Sequence, residues 1–132
     1  MGTGIYCNVD PLTLHLPADA AALARLRRSM REWLEQLEIV ESDVAAIVAA
    51  CSEIAADAIE SAPEGNSGAM DVEAAIAGGD VVVRCTGPEG WRIDEHPSRY
   101  VAALLVDDLS IERSGARTSV VLRKATSRGL GL

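Results

Sequence analysis

A chain of 132 residues is long enough for one domain with a packed core and too short for two ordinary ones. Its 20 acidic residues outnumber its 12 basic ones, and the net charge of −8 argues against a nucleic-acid backbone or an anionic membrane as the main partner. The sequence has 48% hydrophobic residues but no run as long as a membrane span and no signal-peptide pattern, so a cytoplasmic location is expected.

The first half of the chain predicts one strand followed by two helices. Residues 12–16 alternate apolar and polar side chains, as an edge strand does. From 19 to 37, apolar side chains recur every three or four residues, which predicts a helix with one buried face. A second helix, capped by Ser42 or Asp43, is expected to end at the turn-forming residues 63–68.

The second half predicts four strands, arranged as two hairpins at 70–77, 81–83, 109–113 and 118–123. A loop over 87–97 and a helix over about 98–108 are expected between the hairpins. The order of elements favours a two-layer α+β sandwich, with one mixed, mostly antiparallel sheet covered on one face by about three helices. Residues 1–125 are expected to form this single domain, and 126–132 a frayed tail.

Three acidic side chains of the second helix, Glu53, Asp57 and Glu60, are spaced to lie on one side of it, opposite its apolar stripe. One interpretation is a solvated acidic face. The other is a functional pair, in which one carboxylate takes a proton and another holds Mg²⁺, an ion that prefers oxygen ligands. The spacing alone leaves both interpretations open.

The sequence of this helix resembles the N-box of the GHKL ATPases, in particular the bacterial anti-sigma-factor serine kinases, in which it reads Glu-x-x-x-Asn-Ala-x-x-His. The matching residues here are Ser52-Glu53-Ile54-Ala55-Ala56-Asp57-Ala58-Ile59-Glu60. The order of elements and the segment 104–111 extend the resemblance to about 12–124. The resemblance implies that Glu53 is the general base and that Asp57 stands where the family has its Mg²⁺-binding asparagine.

The resemblance also implies three further nucleotide-binding elements, and of the four elements in all, three are altered in this chain. Cys85 replaces the aspartate that contacts adenine in the family's Asp-x-Gly-x-Gly motif. Gly87 and Gly90 correspond to the two glycines of that motif, and the second is displaced by one residue. Thr118 matches the threonine that closes the pocket but lacks the preceding glycine, and segment 94–100 lacks the glycines of a phosphate lid. Losing the charged contact to adenine alone costs about 1.5–3 kcal/mol. ATP and Mg²⁺ are therefore the expected cofactors only if the site is active, with weak or lost ATP binding as the leading expectation.

Cys85 has two interpretations of its own. It could be a reactive thiol at the mouth of a pocket, or a small buried hydrophobe at the end of a core strand, which is the commoner role of a single cysteine. The three widely spaced cysteines, Cys7, Cys51 and Cys85, predict neither a disulfide framework nor a zinc site.

The resemblance implies a protein partner, either a sigma factor or an anti-sigma antagonist. Arg25, Arg27 and Arg28 of the first helix are candidates for that contact, with ion pairs to nearby acidic residues as the alternative. Trp91 and Tyr100 flank the altered loop and either form an aromatic partner surface or fill the empty nucleotide site.

The leading hypothesis is thus an anti-sigma-type regulator that acts by binding. An active serine protein kinase that phosphorylates an antagonist is the enzymatic alternative, and a dimerisation or scaffold module is the third. The resemblance also implies a homodimer, which the edge strand 12–16 could form by pairing with a second copy.

Overall fold

A computed structural model describes residues 10–62 and 69–126 of the chain. The elements are β1 (Leu12–Pro17), α1 (Ala20–Gln36), α2 (Glu41–Ser61), β2 (Ala69–Ala77), β3 (Asp80–Thr86), α3 (Ser98–Ala103), β4 (Asp108–Ser114) and β5 (Arg117–Ala125). One turn of 3-10 helix, Ile93–Glu95, precedes α3. The turn predicted at 63–68, the tail residues 127–132 and Cys7 lie outside the described residues.

The five strands form one sheet in the order β1-β2-β3-β5-β4, and each of the four pairings is antiparallel. Side chains alternate between the two faces, as the period of a strand requires. On β3, for instance, Val81, Val83 and Cys85 are buried while Val82 and Arg84 lie on the open face. The core fills the space between this sheet and the helices, which confirms the predicted α+β fold.

The helices begin in two different ways. The carboxylate of Asp19 caps α1 by accepting a hydrogen bond from the main-chain N–H of Ala22 over 3.1 Å. Helix α2 begins earlier than predicted, with Val40 as N-cap and no capping side chain, so Ser42 and Asp43 are not its cap. Asp43 lies instead in the first turn, where a negative charge favours the positive end of the helix dipole.

Helix α3 ends at Ala103, five residues before the predicted end, because the following chain is used by the sheet. The main-chain N–H of Asp107 donates to the carbonyl of Arg123 over 3.0 Å, and Asp108 pairs with Arg123 in the register of β4 and β5. Long-range pairing thus overrides the local preference for helix. None of the helices in the described part of the chain has the length and apolarity needed to cross a membrane.

Candidate functional site

The three carboxylates of α2 do not share one environment. Asp57 is buried, with 6% of its surface exposed, whereas Glu60 is exposed and Glu53 lies between these extremes. Of the two interpretations, the solvated acidic face therefore does not describe Asp57. The reason is that the segment leading into α3 packs over α2 and brings hydrogen-bond donors to this carboxylate.

Two donors satisfy the Asp57 carboxylate. The indole Nε1–H of Trp91 donates to Oδ2 over 2.7 Å, and Nδ1 of His96 lies 2.9 Å from both carboxylate oxygens. A buried carboxylate is costly unless it is hydrogen-bonded, and bonds to a charged group are among the stronger ones. The hydrogen bond that Asp57 accepts from His96, and the negative charge of Asp57, in turn raise the pKa of His96 above the ordinary value of 6.5.

Trp91 is the residue around which the site is built. Its side chain is 1% exposed, whereas Tyr100 at the other end of the loop is 62% exposed, so only Trp91 matches the interpretation of a residue that fills the pocket. A methyl group added at Gly87 would lie 2.3 Å from the Cε3 atom of Trp91, which means that the indole packs directly on the bare Cα of that glycine. The Thr118 hydroxyl donates to the main-chain carbonyl of Trp91 over 3.3 Å. Asp57, Gly87 and Thr118, all predicted to bind nucleotide, therefore converge on one indole.

A tight turn directs the indole inward. The main-chain N–H of Trp91 donates to the carbonyl of Pro88 over 3.2 Å, and Gly90 at the third position of this turn has φ +85°, a conformation that favours glycine. At the start of the turn, Arg117 Nε donates to the carbonyl of Gly87 over 2.9 Å. Gly90 therefore has a conformational role that places Trp91.

A cleft of about 630 Å³ lies outside Trp91, between the turn and the β4–β5 hairpin, with Arg92 and Arg113 in its lining. Arg113 forms an ion pair with Asp94 at 2.7 Å and donates to the Thr118 hydroxyl over 3.2 Å. The hydrogen bond from Arg113 lowers the pKa of Asp94. This network closes the outer side of the pocket over Trp91.

Cys85 lies in the core, on the buried face of β3. Burial, with a smaller effect from the negative charge of Asp71, raises the pKa of its thiol to about 12. Burial also raises the pKa of Cys51. The burial of Cys85 and its raised pKa both favour its interpretation as a small buried hydrophobe rather than a reactive thiol.

In this structure, residues predicted to hold a magnesium–nucleotide complex contact side chains of the same chain instead. Both oxygens of Asp57 are within hydrogen-bond distance of protein donors, and the indole covers the face of Gly87. Within the described residues, no group of three or more His, Cys, Asp or Glu side chains is placed to hold a metal ion. Glu53, the predicted general base, is half-buried and has no ion pair or hydrogen-bond partner for its side chain in the part of the chain that the structure describes.

The arginines of α1 also differ from one another. Arg25 and Arg28 are exposed and form no ion pair or side-chain hydrogen bond with any described residue. Arg27 Nε donates to the hydroxyl of Ser52 on α2 over 3.0 Å, which holds this guanidinium against the neighbouring helix. Local pairing therefore accounts for Arg27 and leaves Arg25 and Arg28 available for a partner.

Sequence reasoning missed the contacts of Asp57. His96 and Trp91 are 39 and 34 residues further along the chain, and no local pattern links either of them to a helix position. The one usable signal was the turn Pro88-Glu89-Gly90-Trp91, whose glycine at the third position indicates a reversal just before the indole.

Similarity to known proteins, in sequence and in fold, agrees with the family resemblance of the α2 sequence. Residues 16–124 match the sequence profile of the histidine kinase-like ATPase domain. The fold is similar to a crystal structure of the RsbU and RsbW domains of Rv1364c from Mycobacterium tuberculosis, with a TM-score of 0.76 and 31% sequence identity. That match covers 90% of this chain and 33% of the other, so the present chain spans about a third of the longer protein's length. No curated protein sequence matches the chain.

Proposed function

Since the chain belongs to the family of histidine kinase-like ATPase domains, and has the fold of its anti-sigma kinase branch, we propose that it is an anti-sigma-type regulator that acts by binding a protein partner. The partner is a sigma factor or an anti-sigma antagonist in a partner-switching system. ATP binding is weak or lost, so the partner is bound without help from a nucleotide.

The main support for the proposal is that the carboxylate of Asp57 is hydrogen-bonded within the chain. This residue stands at the position at which the family binds Mg²⁺, and it is held instead by Trp91 and His96. A nucleotide with its metal would have to break both contacts and displace a buried indole. Each lost hydrogen bond to the carboxylate costs about 1.5–3 kcal/mol, which opposes ATP binding.

The surface of α1 supports a protein partner. Arg25 and Arg28 are exposed and unpaired within the described residues, and a planar guanidinium suits contacts with carboxylates of another protein. The chain as a whole has a net charge of −8, which suits a partner that also presents basic groups. An RsbW domain occurs beside an RsbU domain in Rv1364c, which supports a role in signalling between proteins.

The test measures binding of the purified chain to each sigma factor and each antagonist of its source organism by isothermal titration, with and without millimolar MgATP. We expect one partner to bind with the same affinity in both conditions. The double variant Arg25→Ala/Arg28→Ala should weaken that binding by about 10-fold or more, since a contact arginine contributes about 1–2 kcal/mol. Arg123→Ala controls for loss of an exposed arginine elsewhere, since Arg123 lies on the open face of the sheet, where it forms an ion pair with Asp80 at 3.0 Å. Absence of any partner, or binding only with MgATP, would contradict the proposal.

A second function, serine kinase activity towards an antagonist, is favoured by one observation. Glu53 keeps the position of the general base, is half-buried, and its carboxylate has no partner among the described residues. The test is transfer of labelled phosphate from ATP to a serine of the antagonist. Transfer that Glu53→Ala abolishes and Glu60→Ala on the same helix does not would establish the kinase. No transfer to any antagonist would leave binding as the function.

A further inference from the structure

The predicted nucleotide pocket contains a side chain of this chain, and we infer that the indole of Trp91 is a tethered ligand of that pocket. The indole takes the place of a planar heteroaromatic group with one N–H donor. The pocket should accept a free molecule of that class once the tethered one is removed. This inference rests on the proposed function only in its statement that ATP binding is weak or lost.

The contacts around the indole are of the kinds that a binding site makes with a small-molecule ligand. The single polar atom of the ring, Nε1, is paired with a carboxylate oxygen of Asp57 at 2.7 Å. One face of the ring packs on Gly87, where a Cβ would lie 2.3–2.9 Å from three ring atoms. Thr118 holds the main chain of the same residue through its hydroxyl. Polar matching of the one donor, and close packing of the ring, are the features that give small-molecule sites their specificity.

These contacts come from three separate parts of the fold. Asp57 is on α2, Gly87 directly follows β3, and Thr118 is on β5. The indole therefore joins the helical layer to the sheet at the point where the family places its nucleotide. With 1% of its surface exposed, the Trp91 side chain is almost fully enclosed by these contacts.

The tether gives Trp91 an advantage over any dissolved competitor. The segment that carries it is fixed on both sides of the indole, by Arg117 on the carbonyl of Gly87 at 2.9 Å and by Arg113 on Asp94 at 2.7 Å. A covalently attached ligand acts at an effective concentration in the millimolar range or above, and that advantage is maintained as long as the segment stays in place. A free nucleotide must therefore displace the indole and also loosen these anchors.

The first test uses the intact protein and the indole N–H signals of its two tryptophans in NMR, which Trp33→Phe assigns. We expect the Trp91 signal to exchange slowly with water and to stay unchanged when MgATP is added to millimolar concentration. A shift of this signal, or faster exchange caused by MgATP, would show that the nucleotide displaces the indole and would overturn the inferred advantage of the tethered indole over a dissolved nucleotide.

The second test removes the tethered ligand and supplies a free one. We expect Trp91→Ala to bind indole saturably and to gain thermal stability from it, with benzothiophene, which has the same shape but no N–H, bound about 10-fold more weakly. Asp57→Ala in the same background should remove that preference. A folded Trp91→Ala variant that takes up no indole, or that binds both compounds equally, would contradict the inference. If this variant does not fold, the intact-protein measurement decides.

The outcomes separate this inference from the proposed function. Displacement of Trp91 by MgATP would overturn the inferred advantage of the tethered indole and favour the kinase, whatever the partner titrations give. Absence of a sigma factor or antagonist partner would overturn the proposed function and leave the indole measurements unaffected.

Discussion

The indole N–H of Trp91 donates to a carboxylate oxygen of Asp57 over 2.7 Å, and both side chains are buried. This contact joins α2 to a loop 34 residues further along the chain. His96 completes the arrangement from the same loop by lying 2.9 Å from both oxygens. The carboxylate of Asp57 thus helps to hold this loop on α2, and the contribution of its hydrogen bonds to stability can be measured.

We expect Trp91→Phe to lower the free energy of unfolding by about 1.5–3 kcal/mol, because the ring is largely kept while a buried carboxylate loses one donor. Trp91→Ala should cost about 3–5 kcal/mol, since it also leaves a cavity. Urea denaturation measures both. The matched control is Trp33→Phe. In the wild type, the indole N–H of Trp33 donates to a neutral acceptor, the main-chain carbonyl of Asp10, over 2.9 Å. A Trp91→Phe variant no less stable than Trp33→Phe would contradict the importance of the Asp57 contact.

Gly87→Ala should destabilise the protein by about 1–3 kcal/mol, because its new methyl group would overlap the ring of Trp91. The cost should largely disappear in the Trp91→Ala background, so the two substitutions should be strongly non-additive in a double-mutant cycle. Gly115→Ala is the control, since its methyl would meet open space and its strain comes only from φ +62°. Its cost should be the same in both backgrounds. A Gly87→Ala cost that does not depend on Trp91 would mean that the glycine serves another purpose.

Stability should depend on the protonation of His96. Asp57 raises the pKa of His96 in the folded protein, with Glu95 and Asp94 adding negative charge, so the native state binds this proton more tightly than the unfolded state. The resulting stabilisation is fully present below the ordinary pKa of 6.5 and is lost as the pH rises through the raised folded value. Comparing the free energy of unfolding of the wild type and His96→Gln across this range should show that difference shrinking as the pH increases.

NMR titration of the imidazole provides the independent check. We expect a pKa for His96 above 6.5 in the wild type and a lower one in Asp57→Asn, which keeps the shape of the side chain and removes its charge. Equal values in the two proteins would mean that Asp57 does not hold the proton of His96.

The sequence predicted the parts of this molecule that depend on neighbouring residues. The alternation in 12–16 and the three-to-four-residue spacing in 19–37 indicate β1 and α1 because burial of one face imposes those periods. The end of α3 was predicted wrongly because Asp107 and Asp108 are drawn into the sheet by Arg123, which is far along the chain. The burial of Asp57 was missed for the same reason, since its donors come from a loop that only the tertiary fold brings to α2.

The thiols of Cys51 and Cys85 should react slowly in the native protein, because both side chains are buried. Only the thiolate reacts readily with disulfide reagents, and a pKa of about 12 keeps almost all of Cys85 protonated near neutral pH. In a Cys7→Ser protein, which retains only Cys51 and Cys85, we expect almost no labelling in the native state and two reactive thiols after denaturation. Any slow native reaction should follow the rate of opening of the core, because burial blocks the reagent as well as ionisation. Rapid native labelling that Cys85→Ala removes would instead place this thiol at an open pocket mouth, and the nucleotide site would then be more accessible than the packing around Trp91 implies.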